Sequence, residues 1–123
     1  MGGSIFVLLV DDDAAFANAA ARDLESVGMR TVVALGSIAA LDVFESNLVD
    51  VVITDIKRTV GQPHGLALAR MIRDKSPRVP VILMTAYPDL VDGEVPLPGA
   101  LLCEPFELAE LCREIRARLA GQP

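Results

Sequence analysis

Three short apolar runs in this chain each stop on side chains able to bind a cation or a phosphoryl oxygen. The central one is Val49-Asp50-Val51-Val52-Ile53-Thr54-Asp55. It is rich in β-branched residues with little polar alternation, the pattern of a strand buried on both faces of a parallel sheet. Ile5–Val10 stops on Asp11-Asp12-Asp13, and Val79–Met84 stops on Thr85-Ala86. As parallel neighbours these runs bring their carboxyl ends to one rim, where open α/β sheets hold their ligands. Acids gathered on such a rim repel one another, and protonation or a bound cation must relieve them.

The 123 residues fit one domain, enough to bury about two thirds of the unfolded surface in a single core. The expected division is a flexible leader at residues 1–4, one domain over 5–120 and a tail at 121–123. With five aromatic residues, a formal charge of −6 and no basic run, the chain is poorly suited to nucleic acid. No apolar run approaches the roughly 20 residues of a membrane span, and the N-terminus lacks a signal-peptide pattern. Gly2 begins a myristoylation-like start, but Phe6 stands where that motif wants Ser or Thr. The expected location is cytoplasmic. Cys103 and Cys112 read as reduced, packed cysteines.

Asp13 is expected to cap a first helix with Phe16, Ala20, Leu24 and Val27 along one face and Gly28 closing it. Thr31–Ala34 reads as a second strand. Ser37 is expected to cap a second helix that carries Ile38, Leu41 and Phe44 inward. Ile56–His64, with Lys57, Arg58, Gly61 and Pro63, reads as a loop, and His64 is given no role. The third helix has Leu66, Ala69, Met71 and Ile72 on its apolar side. After Thr85 the prolines and glycines leave one or two turns of helix near Asp89–Asp92. Ala100–Cys103 makes a fifth strand. Phe106–Leu119 makes a closing helix, with Leu108, Leu111, Cys112, Ile115 and Leu119 on one side. The order βαβαβαβ, a stunted crossover, then βα, predicts helices on both faces of one parallel sheet.

The chemistry of the rim follows from its residue types. Asp11, Asp12 and Asp55 suit a hard divalent cation such as Mg2+, which takes one or two carboxylates and keeps positions for phosphate oxygens. The central carboxylate can then act as a covalent acceptor in phosphoryl transfer. Thr85 supplies a hydroxyl donor.

Val7-Leu8-Leu9-Val10-Asp11-Asp12-Asp13, Asp55 ending the third strand, Thr85-Ala86 ending the fourth and Pro105-Phe106 after the fifth resemble the receiver domain of two-component response regulators. The resemblance covers nearly the whole chain. It implies a flavodoxin-like, doubly wound five-stranded parallel sheet in the order 2-1-3-4-5, with a shortened fourth helix. It also implies Asp55 as phospho-acceptor, Asp11 and Asp12 as the acidic pair for Mg2+ with the backbone carbonyl of Lys57, and Thr85 as the switch hydroxyl. The departures are specific. Glu104 stands where the family has a lysine, Leu101 stands at the aromatic switch position, Arg58-Thr59 replaces a Met-Pro step, and Gly65 comes two residues late. Glu104 is expected to disfavour an aspartyl phosphate, and Lys57 to pair with Glu104 or contact the phosphoryl group itself.

The function expected from the resemblance is that of a single-domain, Mg2+-dependent phosphoacceptor, not an enzyme beyond self-phosphorylation from small donors and autodephosphorylation. Its donor is a histidine kinase or histidine phosphotransfer protein, its output an unknown downstream protein or a homodimer, without direct nucleic-acid contact or membrane insertion. Two alternatives stand beside it. One is a pseudo-receiver that binds proteins without phosphoryl chemistry, favoured by Glu104, Leu101 and the altered loop. The other is a small phosphohydrolase of the haloacid dehalogenase type, allowed by Asp11-Asp12-Asp13 but opposed by the absence of any lysine after Thr85.

Overall fold

A computed structural model describes residues 4–56, 64–91, 93 and 96–121. Five strands, β1 (Phe6–Val10), β2 (Arg30–Ala34), β3 (Val51–Asp55), β4 (Val81–Thr85) and β5 (Ala100–Cys103), form one parallel sheet in the order β2-β1-β3-β4-β5. Among the described residues four helices connect or close it: α1 (Ala14–Ser26), α2 (Ser37–Ser46), α3 (His64–Lys75) and α4 (Leu108–Ala120). Between β4 and β5 a 3-10 turn over Pro88–Val91 stands where a full helix was excluded by the prolines.

Successive residues of β1 serve opposite faces. Leu8 joins Val52, Leu83, Leu68 and Ile72 beneath α2 and α3, while Val7 and Leu9 join Ile53, Ile82, Leu24 and Ile115 beneath α1 and α4. Every residue of β1 and β4 is buried, which is why these strands read as continuous apolar runs. The lead-in to β3 is tied down as well, since Asp50 Oδ2 accepts from the Phe6 amide at 2.7 Å.

The first helix ends as its sequence predicts. Gly28 has φ +89°, its N–H donates to the Glu25 carbonyl at 3.0 Å and the Met29 N–H donates to the Leu24 carbonyl at 3.0 Å. These paired bonds satisfy carbonyls that the helix itself leaves open, and a left-handed residue is needed to make them.

Several helix faces differ from expectation. The N-cap of α2 is Gly36, not Ser37, and no side chain caps it. Ala40 takes the fully buried position, so Ile38, two residues earlier and about 200° round the helix, points outward and is 87% exposed. In α3 the buried apolar residues include Leu68 with Leu66, Ala69 and Ile72, while Met71 is exposed. Val27 is the C-cap of α1 and is exposed, and Cys103 is exposed while Cys112 is buried. His64 opens α3 rather than closing the preceding loop. The closing helix starts two residues late, after a turn in which Glu110 Oε1 accepts from the Glu107 amide at 3.4 Å.

Candidate functional site

The register of the sheet decides what meets at its carboxyl edge. Asp11 follows β1, and its amide donates to the Ala34 carbonyl at 3.1 Å, carrying the β1–β2 pairing one residue beyond the strand. Asp11 Oδ1 accepts from the Asp13 amide at 2.9 Å, turning the chain sharply. Asp13 Oδ1 then accepts from Phe16 N at 3.1 Å and caps α1, the role expected of it. Asp11 is nearly buried, whereas Asp12 is exposed.

Asp55 ends β3, opposite Met84 of β4. The next amide, that of Ile56, donates to the Met84 carbonyl at 2.8 Å and fixes the strand end on both sides of the acid. Asp55 Oδ2 is shielded from solvent. One carboxylate oxygen from each of Asp11, Asp12 and Asp55 can be chosen so that all lie within 4.8 Å of one another. Three acids at that spacing, one buried and one half-buried, form a donor set of the kind a hard divalent cation takes.

Thr85 ends β4 fully buried. Its Oγ1 accepts from the Tyr87 amide at 2.9 Å, and its carbonyl accepts from the Glu104 amide at 2.7 Å. Glu104 therefore follows β5 directly beside the end of β4, and its peptide bond to Pro105 is cis. It lines a separate cavity of about 340 Å3 with Phe16, Ala86, Pro105 and Phe106, in which the two Phe rings meet edge to face at 6.5 Å. Leu101 is half-buried and packs toward the α2 and α3 side. Lys57, Arg58 and the Lys57 carbonyl lie outside the described residues.

Gly65 shows what became of the two-residue offset after Asp55. A Cβ built on Gly65 would stand 2.0 Å from the Asp55 carbonyl oxygen, so the first turn of α3 touches the backbone of the acid. The late glycine meets the strand end as closely as a side-chain-free residue can.

The comparisons can be set beside this geometry. The family model for the response regulator receiver domain matches residues 7–96. The chain belongs to that family. The receiver is 29% identical over 116 residues to the response regulator MprA of Mycobacterium sp. strain KMS, covering 92% of this chain and 50% of the relative. To MprA of Mycobacterium tuberculosis strain H37Rv it is 29% identical over 119 residues, 94% of this chain and 51% of the relative. It thus spans about half the length of these curated relatives. Among solved structures, a receiver domain protein from Clostridium thermocellum superposes with a TM-score of 0.82 at 27% identity, covering 94% of each chain. The response regulator TrrA from Thermotoga maritima, solved in complex with Mg2+–BeF, matches with a TM-score of 0.82 at 26% identity, covering 94% of this chain and 99% of its own. The flavodoxin-like fold and strand order expected from the sequence are those of the receiver family, in which phosphorylation and Mg2+ binding are typical. Among the described residues no helix is long and apolar enough to cross a membrane.

Sequence reasoning missed Tyr87, whose amide holds the Thr85 hydroxyl, and the cavity wall built by Leu35 and Ile38 beside the acids. A motif comparison carries no signal for the first, because the contact is made by backbone. The second had a signal that pointed the wrong way, since an isoleucine near a helix start reads as core.

Proposed function

We propose that this receiver accepts a phosphoryl group on Asp55, with Mg2+ held by Asp11, Asp12, Asp55 and the Lys57 backbone carbonyl. The observation that carries this reading is the approach of three carboxylates on the edge shared with the buried hydroxyl of Thr85. When bound, the cation offsets the charge that develops on the transferred phosphoryl group. Asp55 supplies the attacking oxygen, and the pinning of Ile56 to Met84 keeps that oxygen from swinging away with the strand end. Thr85 donates its hydroxyl to a phosphoryl oxygen while Oγ1 retains a lone pair for Tyr87.

The phosphoryl donor is a histidine kinase or histidine phosphotransfer protein in the cytoplasm, and the output is a protein contact made by the receiver, either with a downstream protein or in a homodimer. Self-phosphorylation from small donors and autodephosphorylation are the extent of its own catalysis. Lys57 contributes a phosphate contact that offsets Glu104, the acid standing where the family has lysine.

Intact mass after incubation with acetyl phosphate and Mg2+ tests the proposal. A single phosphoryl adduct that is lost in Asp55→Asn and on chelation of the metal is the expected result. An unmodified mass, together with an unchanged spectrum on beryllofluoride titration, overturns it in favour of a pseudo-receiver that binds partners without phosphoryl chemistry. Glu104, fixed by its amide to the carbonyl of Thr85, is the observation favouring that second reading.

A further inference from the structure

The cavity that contains Asp55 has a lining of two unlike kinds. Asp11, Asp12 and Asp55 contribute carboxylates, and Val10, Leu35 before α2 and Ile38 in its first turn contribute an apolar wall. Its volume is about 470 Å3, well beyond what a phosphoryl group and a hydrated cation need. Leu35 is 51% exposed and Ile38 87% exposed. Gly36 between them has no heavy atom within 4 Å of the point where a Cβ would stand. The apolar wall is therefore open at its rim, with surface to cover.

A ligand complementary to both kinds of lining carries a phosphate at one end and an apolar group at the other. We infer that this cavity selects acyl phosphates with an apolar acyl group as direct phosphoryl donors, and that Leu35 and Ile38 determine the selection. The inference rests on the reading of Asp55 as phosphoacceptor and adds the class of small donor. In the step, a carboxylate oxygen of Asp55 forms a bond to phosphorus while the bond from phosphorus to the acyl oxygen breaks. The electron pair leaves with the acyl carboxylate, and no proton or redox partner is needed.

Acetyl and butyryl phosphate separate the cavity's contribution from intrinsic reactivity, because their leaving carboxylates have nearly equal basicity. A fully buried methylene is worth roughly fourfold in binding. The two further methylenes of butyryl phosphate, partly covered at an open rim, are expected to give about three- to tenfold.

The experiment follows the rate of Asp55 adduct formation by intact mass with acetyl phosphate, butyryl phosphate and phosphoramidate, each with Mg2+. Phosphoramidate has no acyl group and serves as the standard within each protein. The native chain is expected to react about three- to tenfold faster with butyryl than with acetyl phosphate. In Leu35→Ser and Ile38→Ser that ratio falls toward one. Equal rates in the native chain, or a ratio kept by both variants, overturn the inference while phosphoramidate still labels Asp55. No adduct from any donor instead overturns the phosphoacceptor reading, and the selectivity falls with it.

Discussion

The amide of Tyr87 donates to the hydroxyl oxygen of Thr85 at 2.9 Å. The same threonine accepts from Glu104 through its carbonyl at 2.7 Å, so one buried residue ties the end of β4 to the residue that leads into the 3-10 turn and to the loop after β5. Thr85→Val is expected to lower stability by about 1 kcal/mol, the net worth of a buried hydrogen bond, while Thr85→Ser keeps the bond. Denaturant unfolding of Thr85→Val measures this, and native stability in that near-isosteric variant would mean that the bond adds nothing net. The chain has one tyrosine and no tryptophan, so tyrosine emission reports on Tyr87 alone.

Gly65→Ala is expected to cost about 1–3 kcal/mol, the usual range for forcing an extra methyl into a packed site. Its Cβ would need the space held by the Asp55 carbonyl oxygen, and a backbone atom cannot turn aside as a side chain can. The strand end must shift, so phosphorylation from acetyl phosphate should fall together with the melting temperature. A variant of native stability would contradict the close approach.

Removing one acid should stabilise the protein when metal is absent. Asp11, Asp12 and Asp55 repel at separations within 4.8 Å, worth on the order of 1 kcal/mol per pair at the dielectric of water. Asp55→Asn is therefore expected to raise the melting temperature in chelator, and Mg2+ should raise it far less than in the native chain. Thermal scans with and without Mg2+ decide this. Loss of stability in chelator would mean that the carboxylate is needed by the fold.

Glu104→Gln is expected to raise the rate of adduct formation on Asp55 by a few-fold. A like charge near a dianionic group costs on the order of 1 kcal/mol even at moderate screening. Time courses with phosphoramidate measure the effect. An unchanged rate would show that Glu104 is neutralised by its surroundings.

Bulky replacement of Ala15, on the exposed first turn of α1, should impair transfer from a phosphohistidine protein while leaving acetyl phosphate effective. Equal loss with both donors would remove α1 from the donor's docking surface.

The strand order and the residues at the strand ends were legible because a parallel sheet leaves a coarse trace, apolar runs that stop abruptly. The helix faces were less so. Ala40 occupies a fully buried position, but a small side chain carries little hydrophobic signal, and the eye assigns the core to the larger Ile38 beside it. A cap shifted by one residue, from Ser37 to Gly36, was invisible for another reason: the backbone conformation of the cap, not the hydroxyl, sets where α2 begins. Gly65 looked displaced because sequence counts residues from Asp55, whereas the fold registers a contact.

That contact has an evolutionary consequence. The carbonyl of Asp55 and the backbone of Gly65 touch, so whatever chain joins them is a loop whose two ends are already closed on each other. Lengthening such a loop is thermodynamically cheap, about 0.6 kcal/mol for a doubling. The span after the acceptor can thus gain, lose or exchange residues as a replaceable insert while the acid keeps its place.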